Sequence, residues 1–314
     1  MNGLELSEKY YNEYGLPELQ KSFAGLVEYL AAGFVGRGSE HYGYDDDVSR
    51  DHDFEPGFCI FLPDENIVSR RDAFLLERAY DKLPKEFCGV KRQLLAPVGG
   101  RRNGVFRTSE FYLSAVGSKD GCLTLDEWLH IPDYVLAESV NGKVFADWYG
   151  EFSAVRRRLQ NMPDDVRRKR IAGNVLVMAQ SGQYNYSRCL KHGEPEAAQF
   201  ACTEFVRAAM KILFLLNGRY MPYYKWSFRA LKELDRMEPL AEKLSAILSG
   251  NHADPAAAGS KAELIEELSA DMAALLVENG FSAAVGEDLE QHAYSVNSSI
   301  GDGYIRNLNI FEAV

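Results

Sequence analysis

Apolar residues recur every three or four positions in several segments of the chain, which is the spacing of one face of a helix. In the first half, this spacing predicts helices over residues 5–13 and 16–31. A further helix is expected to begin at Ser69 and to end before Pro84, because proline cannot continue a helix.

Short, continuous apolar runs predict buried strands between these helices. Two of them, residues 31–35 and 58–62, are bounded by glycine or proline. A third short strand is expected over residues 105–108, leading into a helix capped by Ser109. Helices alternating with two or three short strands indicate a small α/β (α+β) domain with a small mixed sheet.

From about residue 151 onward the pattern predicts helices alone, and spacings of three and four throughout are typical of a bundle. The predicted helices begin at Pro163, run from Pro195 to residue 216, cover residues 238–249, and cover residues 260–279 with Ser260 and Glu263 as a capping box. We therefore expect two domains, residues 1–150 and residues 151–314, the second an all-α helical bundle.

The composition is that of a globular protein, with 46% hydrophobic residues in 314. No apolar run is long enough to cross a bilayer and no signal segment is apparent, so a cytoplasmic protein without membrane contacts is expected. Five cysteines without metal-ligand spacing favour buried thiols in a reducing compartment. A net charge of -11 disfavours a DNA or RNA surface and favours small-molecule or protein acceptors.

Candidate chemistry lies between the first two predicted strands. Gly38 and Ser39 allow a turn whose N–H groups, with the serine hydroxyl, can hold phosphates. If Asp51 and Asp53 lie on a strand, their carboxylates share one face, and His52 points to the other. Paired carboxylates suit one or two Mg²⁺ ions that bridge a triphosphate. The pattern predicts a nucleoside-triphosphate site.

This stretch has two other interpretations: a solvated turn, which stays open, and a phosphohydrolase centre, which is weaker. An Asp-x-Asp sequence is also common in solvated turns, where it has no catalytic role. The preceding aspartates, Asp45, Asp46 and Asp47, are expected to hydrogen-bond nearby backbone rather than to bind metal. A His-Asp phosphohydrolase centre at His52 and Asp53 would need further histidines at ligand spacing, which the sequence does not offer.

The order Gly38-Ser39, then Asp51-His52-Asp53, resembles the signature of the DNA polymerase β-like nucleotidyltransferase superfamily, which includes the kanamycin and lincosamide nucleotidyltransferases. The longer string around it is similar to a bacterial family of unknown function, numbered 4037, within that superfamily. The other stretches that carry this resemblance are Gly150-Glu-Phe-Ser153, Tyr184-Asn-Tyr-Ser-Arg188, Gly193-Glu194 and Pro222-Tyr-Tyr-Lys-Trp226.

The resemblance implies a nucleotidyltransferase fold, a helical domain similar to that of kanamycin nucleotidyltransferase, and a site in the cleft between them. It implies that Mg²⁺ is bound by Asp51 and Asp53, and that an NMP, by default AMP from ATP, is transferred to a hydroxyl with release of pyrophosphate. Active relatives also supply a third carboxylate from a later strand. Here that strand offers Arg107, and Glu110 or Glu138 could substitute.

Residues of the helical half are expected to complete the site. By the resemblance, a glutamate there acts as general base, and Glu194 and Glu204 are the candidates. Lys225 could reach a triphosphate as a point charge, and Arg188 could line the cleft, although packing explains both stretches as well.

Three functions remain after this reasoning. The first is an enzyme with a small-molecule acceptor, with protein or tRNA acceptors left open. The second is a catalytically inactive nucleotide-binding or antitoxin-like interaction protein, favoured by the missing third acid. The third is a polymerase-like enzyme acting on RNA, which the net charge disfavours.

Overall fold

The computed structural model describes residues 1–48, 54–92, 102–235, 237–250 and 255–314, without the side chains of residues 255 and 256. The chain forms two compact units. The first consists of Met1–Leu123 and Tyr134–Asn161, and the second of Thr124–Asp133 and Met162–Val314. The bounds of these two units differ from those of the two predicted domains, 1–150 and 151–314. The division into domains remains a prediction.

Both units contain helices, which make up most of the second unit. In chain order they are α1 (Gly3–Tyr10), α2 (Leu16–Ser22), α3 (Arg70–Lys82), α4 (Thr108–Val116), α5 (Leu125–His130), α6 (Asp133–Val140), α7 (Glu151–Gln160), α8 (Asp164–Met178), α9 (Ser187–Lys191), α10 (Pro195–Leu216), α11 (Tyr224–Leu231), α12 (Glu238–Ser249), α13 (Pro255–Glu278), α14 (Leu289–Ser298) and α15 (Gly303–Asn307). Two π-helical segments, Tyr11–Gly15 and Ala179–Tyr186, link α1 to α2 and α8 to α9.

The first unit is built around a four-stranded mixed sheet. Its strands are β1 (Ala31–Phe34), β2 (Cys59–Leu62), β5 (Gly104–Arg107) and β6 (Lys143–Asp147), and a separate hairpin pairs β3 (Glu86–Phe87) with β4 (Val90–Lys91). The order across the sheet is β5-β2-β1-β6, with β2 parallel to β5 and β1 antiparallel to both of its neighbours. The first unit is therefore a mixed α/β fold, as expected.

Alternate side chains of β2 serve two different layers, as the period of a strand requires. Ile60 and Leu62 lie in a core shared with α1 and α3. Phe61 points to the other face, where its ring stacks on Phe152 of α7 at 3.9 Å between centroids. Tyr80 of α3 fixes the first layer, because its hydroxyl accepts from the amide of the residue before β2 and donates to that residue's carbonyl.

The predicted helix over residues 16–31 is wrong in its second half. Helix α2 ends at Ser22, because Phe23 leaves helical geometry with φ −135° and ψ 31°. A 3-10 turn, Val27–Tyr29, then leads into β1. Phe23 and Leu26 still pack on the core, so their apolar spacing reports burial of a turn rather than a continuous helix.

Of the three helix caps predicted from the sequence, one is confirmed and two are wrong. The Ser69 hydroxyl accepts the amide of Asp72 at 3.2 Å, which confirms the predicted start of α3. The cap at Ser109 is wrong, because β5 runs directly into α4 and Arg107 occupies the cap position. The capping box at Ser260 is also wrong, because α13 already begins at Pro255.

The second unit contains only helices within its described residues, as predicted for this half of the chain. Helix α8 packs on both α10 and α14, and all of its residues from 169 to 176 are buried, including Lys169 and Arg170. The ammonium of Lys169 is fully enclosed and donates to the Asn297 side chain at 2.9 Å and to the Leu308 carbonyl at 2.7 Å. In the described part of the chain, no helix is both long and apolar enough to cross a bilayer.

Candidate functional site

Strand pairing gathers four chain segments at one edge of the sheet. The last residue of β1, Phe34, pairs with Lys143 at the start of β6, and Gly33 pairs with Cys59 at the start of β2. Cys59 in turn pairs with Gly104 at the start of β5. The chain leaving β1 and the chains entering β2, β5 and β6 therefore meet at this edge, which we call the turn edge.

The chain leaving β1 makes the turn that the sequence predicts as a phosphate-binding element. Gly36 and Gly38 have φ of 133° and 123°, a conformation that other residues rarely adopt. Asn141, just before β6, holds the turn by accepting from the Gly36 amide at 2.9 Å and donating to the Gly36 carbonyl at 2.7 Å. A single 3-10 turn, Ser39–His41, follows. The turn is thus fixed by a side chain from the opposite end of the unit's sequence.

Glu40 folds back over this turn. A Cβ built on Gly38 would lie well inside 3.0 Å of both carboxylate oxygens of Glu40, and with the φ of 123° this contact disfavours any other residue there. The carboxylate accepts from Arg102 Nη1 at 2.8 Å, and Arg102 belongs to the chain entering β5. An anionic group therefore lies on the glycine turn and is neutralised by an arginine from a neighbouring segment.

The environment of Glu40 favours its ionised form. Burial opposes ionisation, but hydrogen bonding and charge from His41, together with the charge of Arg102, hold the pKa of this carboxyl below its usual value. Glu40 is therefore a carboxylate at neutral pH although it is almost completely buried.

His41 lies beneath the turn and is buried. Its ring stacks on Phe34 at 4.0 Å between centroids, and its Nδ1 is 3.3 Å from Glu40 Oε1. Neither ring nitrogen makes a well-formed hydrogen bond within the described residues, although Nδ1 lies close to the Glu40 carboxylate. Since buried polar atoms are normally hydrogen-bonded, His41 is an unsatisfied polar side chain beside the turn.

A second ion pair lies at the same edge. Arg37 Nε is 3.4 Å from Glu138 Oε2, with the arginine 71% exposed and the glutamate largely covered. Burial raises the pKa of Glu138, while the charges of Arg37 and Arg102 act against this rise. The turn edge therefore carries two ion pairs between an arginine and a glutamate.

The chain entering β2 is attached to this edge by Glu55. Asn103 Nδ2 donates to Glu55 Oε1 at 3.1 Å, and the backbone of Gly57 passes close against the same asparagine. Phe54, the residue directly before Glu55, packs on the core of the unit. Asp51 and Asp53, the predicted metal ligands, immediately precede this anchored stretch in sequence and lie outside the described residues.

The structure distinguishes among the residues considered for a third acid. Arg107 is at the far end of β5, where it donates to the Pro63 carbonyl at 2.6 Å. Glu110 is in the first turn of α4, which follows that far end. Glu138 instead lies at the turn edge, paired with Arg37. Of these three positions, only Glu138 is brought to the predicted phosphate turn.

Glu40 and Asn141 are the site residues that the sequence analysis missed. The signal for Glu40 was its position directly after Gly38-Ser39 in the sequence. Asn141 had no local signal, because its role depends on the pairing of β6 with β1. The neighbouring aspartates Asp45 and Asp46 accept backbone amides of Gly3 and Val48, in line with the structuring role expected for them.

The remaining predicted residues belong to the second unit. Glu194 is at the cap position of α10 without a side-chain cap bond, and Glu204 pairs with Arg207 further along the same helix. The separation of ten positions between these glutamates corresponds to about 15 Å of helix, so one acceptor hydroxyl cannot contact both. Lys225 is exposed at the start of α11. Arg188 is exposed, and its guanidinium lies over the Tyr184 ring at 4.7 Å.

A structural role accounts for one of the quoted stretches, Gly150-Glu-Phe-Ser153. Asp147, the last residue of β6, accepts the amides of Gly150 at 2.8 Å and Ser153 at 2.7 Å, and so caps the start of α7. Burial, with Asp147 and Asp64 nearby, raises the pKa of Glu151. These groups are at the far edge of the sheet from the glycine turn.

Among the residues that the structure describes, no group of three or more histidine, cysteine or acidic side chains is arranged to hold a metal ion.

Comparison with known proteins gives a match to one protein family. No curated protein and no solved structure matches the chain. Residues 128–227, about a third of the chain, match the family described as "Domain of unknown function (DUF4037)". This match spans β6, α7 and four of the stretches quoted above, whereas the glycine turn precedes it.

Proposed function

We propose that the protein is a Mg²⁺-dependent nucleotidyltransferase that moves an NMP, by default AMP, from an NTP to a hydroxyl of a small-molecule acceptor. The observation that carries this proposal is the turn edge itself. A glycine turn, two arginines and the chain segment that follows Asp51 and Asp53 all lie there. The nucleotidyltransferase fold is part of the same proposal.

In this proposal the phosphates lie against the Gly38-Ser39 turn. The backbone amides of a glycine turn favour anions, and Arg37 adds an accessible guanidinium beside this turn. Glu40 now covers Gly38, so a bound phosphate would have to take its place as the partner of Arg102. Carboxylate and phosphate are both oxyanions that can accept hydrogen bonds from a guanidinium, so a phosphate can replace the Glu40 carboxylate as the partner of Arg102.

Oxygen donors at the turn edge fit the metal that the proposal requires. Mg²⁺ prefers carboxylate and phosphate oxygens, and Glu138 adds a carboxylate to the proposed ligands Asp51 and Asp53. The bound metal would neutralise charge on the triphosphate during displacement at phosphorus. The protein's own task is to hold the triphosphate on the turn and to accept the proton of the acceptor hydroxyl.

The reaction forms a bond between the acceptor oxygen and the α-phosphorus and breaks the bond from that phosphorus to pyrophosphate. The proton of the hydroxyl passes to a general base, for which Glu194 and Glu204 are the proposed residues. Glu204 forms an exposed ion pair with Arg207. Lys225 and Arg188 are proposed to contact the nucleotide.

A second candidate is a nucleotide-binding protein that does not transfer. This candidate is supported by the absence of an acid at position 107, where the later strand would be expected to supply one. Arg107 occupies that position and donates to the Pro63 carbonyl.

One experiment separates the two candidates. The protein is incubated with each labelled NTP, Mg²⁺ and a panel of aminoglycosides, lincosamides, tRNA and cell extract, while pyrophosphate release and NTP binding are measured in parallel. Release that depends on one acceptor supports the enzyme. Saturable NTP binding without release under any condition supports the binding protein, and absence of both contradicts the two candidates together.

A further inference from the structure

The Glu40 side chain lies on the glycine turn to which phosphate binding is proposed. Its carboxylate covers Gly38, accepts from Arg102 Nη1 at 2.8 Å, and is 3.3 Å from His41 Nδ1. Only 10% of the Glu40 side chain is exposed, compared with 33% of the Arg102 side chain. The carboxylate is therefore enclosed, while the guanidinium that it binds can be reached from solvent.

The groups around this carboxylate are those that bind oxyanions in general. Guanidinium groups, backbone amides of glycine turns and imidazole N–H groups all donate to phosphate as well as to carboxylate oxygens. Burial raises the pKa of Glu40, but His41, the backbone amide of Glu40 and the charge of Arg102 lower it below the ordinary value. In the free protein, the turn is thus occupied by an anion from its own chain.

Two of the donors converge on a single oxygen. Arg102 Nη1 and His41 Nδ1 both face Oε1 of Glu40. They come from different segments, since Arg102 precedes β5 and His41 belongs to the turn itself. A phosphate oxygen that takes the place of Oε1 would face the same two nitrogens, so the position suits an external oxyanion as well as the internal one.

Glu40 leaves part of this environment unused. His41 is buried, and its Nε2 makes no hydrogen bond within the described residues. Apart from the chain neighbours of Gly36, this nitrogen is the one described atom within 4 Å of a Cβ built on Gly36, at 3.9 Å. The space beside the turn is therefore bordered by an unsatisfied polar atom, which a ligand with more oxygens than a carboxylate can satisfy.

We propose that Glu40 is an autoinhibitory contact. It occupies the oxyanion position of the turn in the free protein, and a phosphate-bearing ligand binds by displacing it from Arg102 and His41. This inference rests on the proposed function, because it takes the glycine turn as the phosphate site. A competitor within the same chain lowers the apparent affinity for the ligand in proportion to the fraction of molecules in which the site is closed.

The test measures binding of inorganic tripolyphosphate to the full-length protein by isothermal titration calorimetry, at neutral pH and without NTP or Mg²⁺. Glu40→Gln keeps the size of the side chain and removes the charge that holds it to Arg102. Asp45→Asn is the matched control. Asp45 carries the same charge and accepts the amide of Gly3, a residue that packs on Glu40, so this variant removes an equal charge nearby and leaves Glu40 in place.

We expect Glu40→Gln to bind tripolyphosphate about tenfold more tightly than the wild type, because the competing state loses a charge-assisted hydrogen bond. Asp45→Asn should stay within about twofold of the wild type, the effect of a nearby charge that is screened by solvent. Should Glu40→Gln fail to fold, Glu40→Asp is expected to bind more tightly than the wild type, because its shorter side chain holds Arg102 less closely.

Unchanged or weaker binding in the folded Glu40 variants, an equal gain in Asp45→Asn, or no saturable binding by any of these proteins would each overturn the proposal. The outcome is separate from that of the transfer reaction. A gain in affinity without pyrophosphate release supports autoinhibition and contradicts the enzyme. Pyrophosphate release by the wild type, with unchanged tripolyphosphate affinity in Glu40→Gln, supports the enzyme and overturns autoinhibition.

Discussion

The carboxylate of Glu40 lies directly over the α-carbon of Gly38, two positions earlier in the same turn. This contact explains why position 38 carries glycine, and it places an anion where the sequence predicts a phosphate. It also joins the turn to β5, through the bond from Arg102.

Replacing Gly38 tests this relationship through stability. Gly38→Ala should lower the free energy of unfolding by about 1–3 kcal/mol, because alanine is strained at φ 123° and its Cβ displaces the Glu40 carboxylate. Chemical denaturation gives the value. Gly25→Ala is the control, since nothing lies within 4 Å of a Cβ at that position. Equal effects at the two glycines would show that the turn does not constrain position 38.

The ionised state of Glu40 predicts a particular pH dependence. Its folded-state pKa is lowered, so its contribution to stability is present above the ordinary glutamate pKa of 4.5 and is lost as pH falls through the folded value. Glu40→Gln should therefore be less stable than the wild type at neutral pH, by about 1–3 kcal/mol, and the difference should shrink in acid.

Denaturation midpoints of both proteins across the acid range measure this difference. Glu86→Gln, at an exposed glutamate in a loose ion pair, is the control and should leave the pH profile unchanged. A constant gap between wild type and Glu40→Gln at every pH would contradict the assignment of Glu40 as a charged residue.

The buried pair of Arg170 and Asp133 should dominate the stability of the second unit. Either Arg170→Met or Asp133→Asn leaves one charge buried without its partner, and a loss of about 3–5 kcal/mol is expected. Arg207→Met, which breaks an exposed pair, should cost less than about 1 kcal/mol. Thermal unfolding ranks the three variants. A small effect at Arg170 would mean that the pair contributes no more than a surface one.

Local signals in the sequence predict the elements of this fold better than their ends. The cap at Ser69 is confirmed, and it could be predicted because its hydroxyl and the amide that it accepts are only three residues apart. The helix over residues 16–31 is not, because apolar spacing cannot distinguish a helix face from a buried turn next to a strand. Strand β6 was not predicted, since its partner β1 lies more than a hundred residues earlier.

The residues of the candidate site also differ in whether the sequence alone could identify them. Gly38 and Ser39 could be found from sequence, because the conformational freedom of glycine is a local property. Asn141 and Arg102 could not, because the sheet order brings them to the turn. Glu138 was one of two alternatives in the sequence, and strand direction favours it over Glu110.

The central claim is that Asp51 and Asp53 carry out Mg²⁺-dependent nucleotidyl transfer together with the Gly38 turn. The most direct measurement is pyrophosphate release with labelled ATP, Mg²⁺ and the acceptor panel, comparing the wild type with Asp51→Asn, Asp53→Asn and the control Asp47→Asn. We predict that the first two variants lose at least about a hundredfold in rate and that Asp47→Asn retains wild-type release. Equal release by all four proteins, or no release by the wild type with any acceptor, would contradict the claim.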